Sequence, residues 1–237
     1  MAKLVWDAAG EKIFETGAKN AVLFPGYDAK TKKYGNGVAW NGLTSVTESP
    51  SGADEQAFYA DDIKYGSMRG AEDFGGTIEA YMYPDEWAEC DGSVNVVAGV
   101  ALGQQKRKVF GLCYKTTVGN DTESTDFGYK LHLIYGATAS PSEKQYQTMN
   151  DSPEAVTMSW EFTTTPVAVT ALGSDGKVLK PVALITIDTT KRDEAGKKNL
   201  ATLEEKLFGS ETAESELPTP DEVINIMKAT VASEPGT

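Results

Sequence analysis

The chain has 237 residues and a formal charge of −13, from 35 acids against 22 bases. That length suffices for one substantial domain with a filled core. The charge speaks against a groove that grips DNA, which needs Lys and Arg to neutralise phosphates, though not against a surface that DNA slides past; the plain reading is an acidic, solvated exterior.

Met1 to Trp6 runs straight into Asp7, so no signal-peptide apolar run develops, and no window approaches a membrane-spanning length. Cys90 and Cys113, far apart and without a secretory signal, read as two reduced thiols. Residues 1–37 read as an N-terminal arm: Lys12–Thr16 and Asn20–Phe24 are short apolar pieces interrupted by Gly17 and by Pro25-Gly26.

Val38–Trp40 and Leu43–Val46 flank Asn41-Gly42, the strongest local hairpin signal because both residues tolerate positive φ. Ser49-Pro50-Ser51-Gly52 then breaks the chain, and strand-like runs Gln56–Ala60 and Ile63–Met68 surround Asp61-Asp62. Residues 41–65 therefore predict a long, twice-bent excursion with a polar outer part at Glu48–Glu55, anchored by Ala57, Phe58 and Tyr59.

Gly76–Tyr83 alternates as a strand, with Ile78 and Ala80 on one face and Thr77 and Glu79 on the other. Pro84–Glu89 suits a short helix ended by Asp91-Gly92. Ser93–Gln105 reads as small and flexible, Lys108–Thr117 as a strand, and Gly119–Gly128 as an acidic turn region. Tyr129–Tyr135 alternates, with Leu131 and Leu133 predicted core. After a Ser-, Pro- and Asn-rich loop from Ala137 to Pro153, Ala155–Thr163 gives the clearest strand, with Val156, Met158, Trp160 and Phe162 on its apolar face. Short strands are predicted near Val167–Leu172 and Val178–Ile187. Leu200, Leu203 and Leu207 predict a helix over Lys197–Phe208, with Gly209 as its cap. Residues 210–220 read as an acidic linker and Asp221–Ala229 as a short amphipathic helix that Val231 could extend, so that 210–237 forms a C-terminal appendage to a domain spanning 1–209.

Chemistry-bearing motifs are sparse. His132 is the only histidine, which starves His-based metal sites and His-assisted nucleophiles of partners. Gly173–Val178 lacks the spacing of a phosphate loop. Asp121, Glu123 and Asp126 miss the register of an EF-hand. No catalytic, cofactor-binding or metal-ligating residue is predicted. Trp40, Trp87, Tyr59 and Tyr135 are core, a sugar-stacking platform or an inter-subunit contact.

Three long phrases resemble the major tail proteins of long-tailed bacteriophages and prophages: Gly37–Ala53, Thr77–Trp87 and Gly103–Arg107. His132–Ala137 and Ser152–Val156 share the resemblance, which covers about the first nine-tenths of the chain, a single-domain span. The resemblance implies a mainly β antiparallel sandwich or barrel with a flanking helix, without enzymatic activity. Such proteins form hexameric rings that stack into the tail tube, joining inner strands into a continuous barrel that consumes strand edges. It further implies a homo-oligomer in the virion tail, assembled in the host cytoplasm. Its implied partners are a tape-measure protein and terminator or baseplate proteins, with double-stranded DNA passing through unbound and no membrane involved. On that reading Glu48, Ser49, Pro50, Ser51, Gly52, Asp54 and Glu55 are the inter-ring contact candidates, and Glu79 is a candidate for the lumen wall. The alternatives are a carbohydrate-binding β-sandwich module and, third, a hydrolase.

Overall fold

A computed structural model describes residues 4–52, 54–146, 148, 155–173 and 176–228. It is mainly β, with a large antiparallel sheet and a few helices. In chain order the first strands are β1 (Phe14–Pro25), β2 (Tyr27–Asp28), β3 (Lys33–Tyr34), β4 (Val38–Trp40) and β5 (Leu43–Glu48). Next come β6 (Ser51–Gly52), β7 (Glu55–Ala60), β8 (Ile63–Arg69), β9 (Glu72–Asp73) and β10 (Gly75–Ala80). Helix α1 (Trp87–Asp91) precedes β11 (Val94–Val97), β12 (Val100–Leu102), β13 (Phe110–Asn120), β14 (Ser124–Ala139), β15 (Met158–Thr164) and β16 (Leu184–Asp188). A 3-10 turn over Thr189–Lys191 then leads to α2 (Glu194–Phe208) and α3 (Pro220–Lys228).

The main sheet runs β4-β1-β13-β14-β15-β10-β5, with β16 also paired to β14. Part of the predicted arm is therefore a strand of the main sheet: β1 pairs with β13 on one side and with β4 on the other. Gly17 (φ +66°), which reads as a break, and Asn20 (φ +53°) each sit at a shift in the β1–β13 register. A positive-φ residue inserted in a strand makes a bulge and need not end the ladder. Asn41-Gly42 turns the chain as predicted, but it makes no hairpin. The strand before it pairs with β1 and the one after it with β10, so the turn is a corner between the two ends of the sheet.

The second half of β14 sets the architecture. From Leu131 to Ala137 every residue is buried, because both sides of the strand are covered. Leu131, Leu133 and Tyr135 face an outer layer with Leu200, Leu203 and Leu207 of α2 and Val223 of α3. Ile134, Ala137 and Ala139 face an inner core. Odd-numbered residues change sides because Gly136, at φ +62°, is part of a bulge: two steps on β13, Phe110 to Leu112, oppose three on β14, Ala137 to Ile134. Beyond the bulge β14 pairs with β15, whereas before it β14 paired with β16.

The inner core is aromatic. Ring centroids of Trp40 and Trp87 are 4.7 Å apart, Trp87 and Trp160 5.5 Å, and Trp87 and Phe110 4.9 Å. The Trp40 indole N–H donates to the Met82 carbonyl at 2.9 Å, while those of Trp87 and Trp160 are buried without a partner. Trp160 and Phe162 are fully enclosed and Met158 packs against the same cluster. Val156 departs from the expected face: β15 starts only at Met158, and Val156 lies before it, 37% exposed. An alternating pattern marks a face but not where pairing begins.

Residues 210–220 are no loose linker. Leu217 is buried in the outer layer, the Gly37 N–H donates to the Ser215 carbonyl at 3.0 Å, and the Tyr135 hydroxyl donates to the Pro218 carbonyl at 3.0 Å. Thr219 and Glu222 then form a capping box: the Thr219 N–H donates to Glu222 Oε2 at 2.8 Å and the Glu222 N–H to Thr219 Oγ1 at 3.4 Å, with Pro220 as the first helical residue. Helix α3 thus packs on α2 within the same body. Val231 lies outside the described residues.

Replacing Trp160 with Ala is expected to cost about 3–5 kcal/mol, since a large aromatic is removed from a closed core. Urea denaturation measures it, and a midpoint unchanged from the parent would contradict this packing.

Candidate assembly surfaces

The β5–β10 pair does not stop at the body. Beyond it β6 pairs with β9 and β7 with β8, so 49–74 is one two-stranded ribbon, joined at its root by the Ser49 N–H donating to the Gly75 carbonyl at 2.8 Å. Its tip is Asp61-Asp62, at φ +51° and +61°, the two-residue turn that matches strand twist. Twelve residues from root to tip give a reach of roughly 40 Å at strand rise. Described residues from Ser49 to Asp73 are exposed except Gly66, which is half-buried under the Phe58 ring. Tyr59 (70% exposed), Tyr65 (73%) and Met68 (69%) stand in solvent. A lone two-stranded ribbon is marginal in water. Here Glu55 steadies it by pairing with Lys64 at 3.0 Å and Arg69 at 3.6 Å.

The excursion extends past Tyr65 to Phe74, its tip is Asp61-Asp62 and not Glu48–Glu55, and Ala57, Phe58 and Tyr59 anchor nothing in the body. Ser49 and Pro50 lie at the root, Ser51 and Gly52 form β6, and Asp54 and Glu55 start the outer ribbon. Ser-Pro-Ser-Gly reads as a break, yet the excursion goes on: Gly52, at φ +81°, ends β6, and β7 begins at Glu55.

Glu48 points the other way, into the body. It accepts from the Tyr114 hydroxyl at 2.5 Å and lies 3.1 Å from His132 Nδ1. His132 Nε2 is 3.0 Å from Thr116 Oγ1, its ring stacks on Tyr114 at 4.7 Å, and Glu15 lies 3.6 Å away, bonded in turn to Lys130 and Thr116. The lone histidine therefore links β1, β5, β13 and β14 by side chains where no ladder joins β5 to β1 among the described residues.

The outward face of β5, β10 and β15 is bare of helices and polar. Thr77 lies between Thr47 and Glu161, and Glu79 between Ser45 and Ser159. Ser45 Oγ donates to Glu79 Oε2 at 2.8 Å. Ser, Thr and Glu fill these positions, with no Lys or Arg among them. On the body, β11 and β12 form a second projecting hairpin, turned at Gly99 (φ +79°), with Val94, Val96, Val97, Val100 and Leu102 exposed. A basic groove of about 730 Å³ lies between residues 25–35 and 106–109, floored by Tyr27 and Tyr34 with rings 5.0 Å apart.

Other sequence candidates dissolve. Trp40, Trp87 and Tyr135 are buried, which leaves Tyr59 alone of the sugar platform. Asp121 accepts from the backbone N–H groups of Gly10 and Lys12, and no cluster of metal-ligating residues occurs among those described. Both thiols are free and buried, Cys90 pushed up to about 12 by burial.

No family model and no curated protein matches the chain. Among solved structures it is similar to a chain of the sheath-tube complex, in the extended state, of an extracellular contractile injection system (PVC). Identity is 12% over 72% of this chain and 89% of that one, with a TM-score of 0.30. It is also similar to a chain of the sheath/tube terminator of that system, 10% identical over 78% and 99%, with a TM-score of 0.28.

Glu48 carries a pH prediction. Its hydrogen bond with His132, helped by Tyr114 and opposed by burial, holds its pKa below the ordinary 4.5. A depressed folded-state pKa contributes stability that is present above the unfolded value and lost as pH falls through the folded one. Thermal melts from pH 7 to pH 3 are expected to show the parent losing stability below about pH 4.5 more steeply than Glu48→Gln. Parallel curves would mean that the node holds nothing together.

Proposed function

We propose that the chain is a structural subunit of a phage-type tail tube, assembling into stacked hexameric rings through which double-stranded DNA passes. The observation that carries this reading is the ribbon over 49–74. It sets the exposed side chains of Tyr59 and Tyr65 roughly 30 Å from the root, where no other described part of the chain covers them. Exposed apolar surface on this scale is an interaction surface, and a projecting ribbon reaches a neighbour better than it binds a small ligand.

Two further features support it. The helix-free face of β5, β10 and β15 carries Glu79 and Glu161 among Ser and Thr, a wall that repels phosphates instead of releasing counterions to hold them. The main sheet also leaves β4 and β5 as edges, and edge pairing between subunits would consume them. On this reading the subunit resides in the virion tail and meets a tape-measure protein inside the tube and terminator or baseplate proteins at its ends. It performs no catalysis and holds no cofactor.

Deleting Glu55 to Arg69 tests the ribbon cleanly. It brings Asp54 next to Gly70, an Asp-Gly pair suited to a tight turn. The shortened chain is expected to keep the parent's melting temperature and to form no tubes in negative stain; normal tubes would overturn the proposal. The wall is tested separately: tubes carrying Glu79→Lys and Glu161→Lys should retain short duplex DNA at low salt and release it as salt rises, whereas parent tubes should not.

A further inference from the structure

The ribbon tip and the basic groove have complementary chemistry. The ribbon from Asp54 to Asp73 holds six acids and two bases, and Glu55 occupies both bases. Asp61 and Asp62 therefore stand at the tip without an ion pair, flanked by exposed Tyr59 and Tyr65. Lys33, Lys106, Arg107 and Lys108 line the groove around Tyr27 and Tyr34, with Asp28 among them, and Lys30 and Lys32 stand on the same 25–35 segment. Lys33 pairs with Glu216 and Lys108 with Glu89, but Lys30, Lys106 and Arg107 have no carboxylate within ion-pair distance among the described residues. Arg107 is pinned against Gly92, where an added Cβ would meet its Cζ at 3.2 Å, and its Nε is buried without a partner. A guanidinium so held and unanswered is poised for a carboxylate.

We propose that the groove is the receptor for the Asp61-Asp62 tip of a second copy of this chain, with Tyr59 and Tyr65 seated against Tyr27 and Tyr34. The inference rests on the tube reading and adds its missing half, the surface on which the ribbon lands. The tip makes no ion pair or hydrogen bond to the groove of its own chain. Duplex DNA is the competing anion. The observations favour the tip because the groove pairs aromatic rings with its cations, which matches a tip that carries two carboxylates between two tyrosines.

The test uses the full-length chain. Lys30→Glu with Lys106→Glu, and separately Asp61→Asn with Asp62→Asn, lie on exposed positions and keep the tip conformation. Each pair is expected to fold as the parent does and to raise the concentration needed for association at least about tenfold, as opposed charges at an interface do. Asp61→Lys combined with Lys106→Glu should restore association; a lysine already stands at φ +57° at position 32. Chains carrying both Asp62→Cys and Lys106→Cys should give a ladder of intermolecular disulfides on oxidation, with buried Cys90 and Cys113 silent.

Tubes that form equally well from the charge variants, or assembled chains that give no ladder, would overturn the docking while leaving the tube reading standing. So would duplex DNA bound by the parent and released by Lys30→Glu/Lys106→Glu with association unchanged. A parent chain that never associates would fail both.

Discussion

β14 offers one edge to β13 along most of its length and hands the other from β16 to β15 at Gly136. That transfer turns a sheet into a container. Before the bulge the strand belongs to a layer roofed by α2 and α3; after it, Ala137 and Ala139 face the tryptophans. The transfer depends on a backbone that no other residue tolerates well, since Gly136 combines a positive φ with a Cβ position that would collide with the Thr165 carbonyl. Both hydrophobic layers share this one strand, so a change at Gly136 would disturb the helical roof and the aromatic interior together.

The same economy appears at the sheet's two ends. The chain passes from β4 to β5 through two residues, yet these strands sit at opposite ends of the ladder path. Between β5 and the β1 end of the sheet the contacts are made by side chains: Glu48 of β5 and Glu15 of β1 reach His132, Tyr114 and Thr116 from different strands. Backbone pairing closes most of the molecule and a polar node closes the remainder. Such a node strengthens in a low dielectric when every member is answered.

Much of this was legible in the sequence, and the failures have physical causes. Alternation located β10 and β15, and Leu200, Leu203 and Leu207 located α2, because these elements bury one face and solvate the other. β1 was split because Gly17 looks like a breaker, and its role as a bulge depends on a partner strand the local sequence does not show. Its first half is also exposed, which erased the pattern. The apolar pattern placed the start of α3 at Asp221, and the signal that would have moved it is the capping box Thr219-Pro220-Asp221-Glu222, with proline at the first helical position. The ribbon was found but misdrawn: Ser-Pro-Ser-Gly outweighed Asp61-Asp62 as a turn signal, although two consecutive residues at positive φ make a tight two-residue hairpin turn. The groove was invisible, since its cations come from segments about 75 positions apart.

The ribbon is continuous with β5 and β10, and this has a mechanical consequence. A force applied at the tip and directed away from the body runs along both strands and arrives parallel to the β10–β15 ladder, whose bonds lie across the strands. That ladder is then loaded in shear, its six residue pairs resisting together, instead of being peeled open one pair at a time. A subunit held by its tip would yield last where β10 meets the aromatic core, so the slender outer part can transmit tension without being the place where the molecule tears.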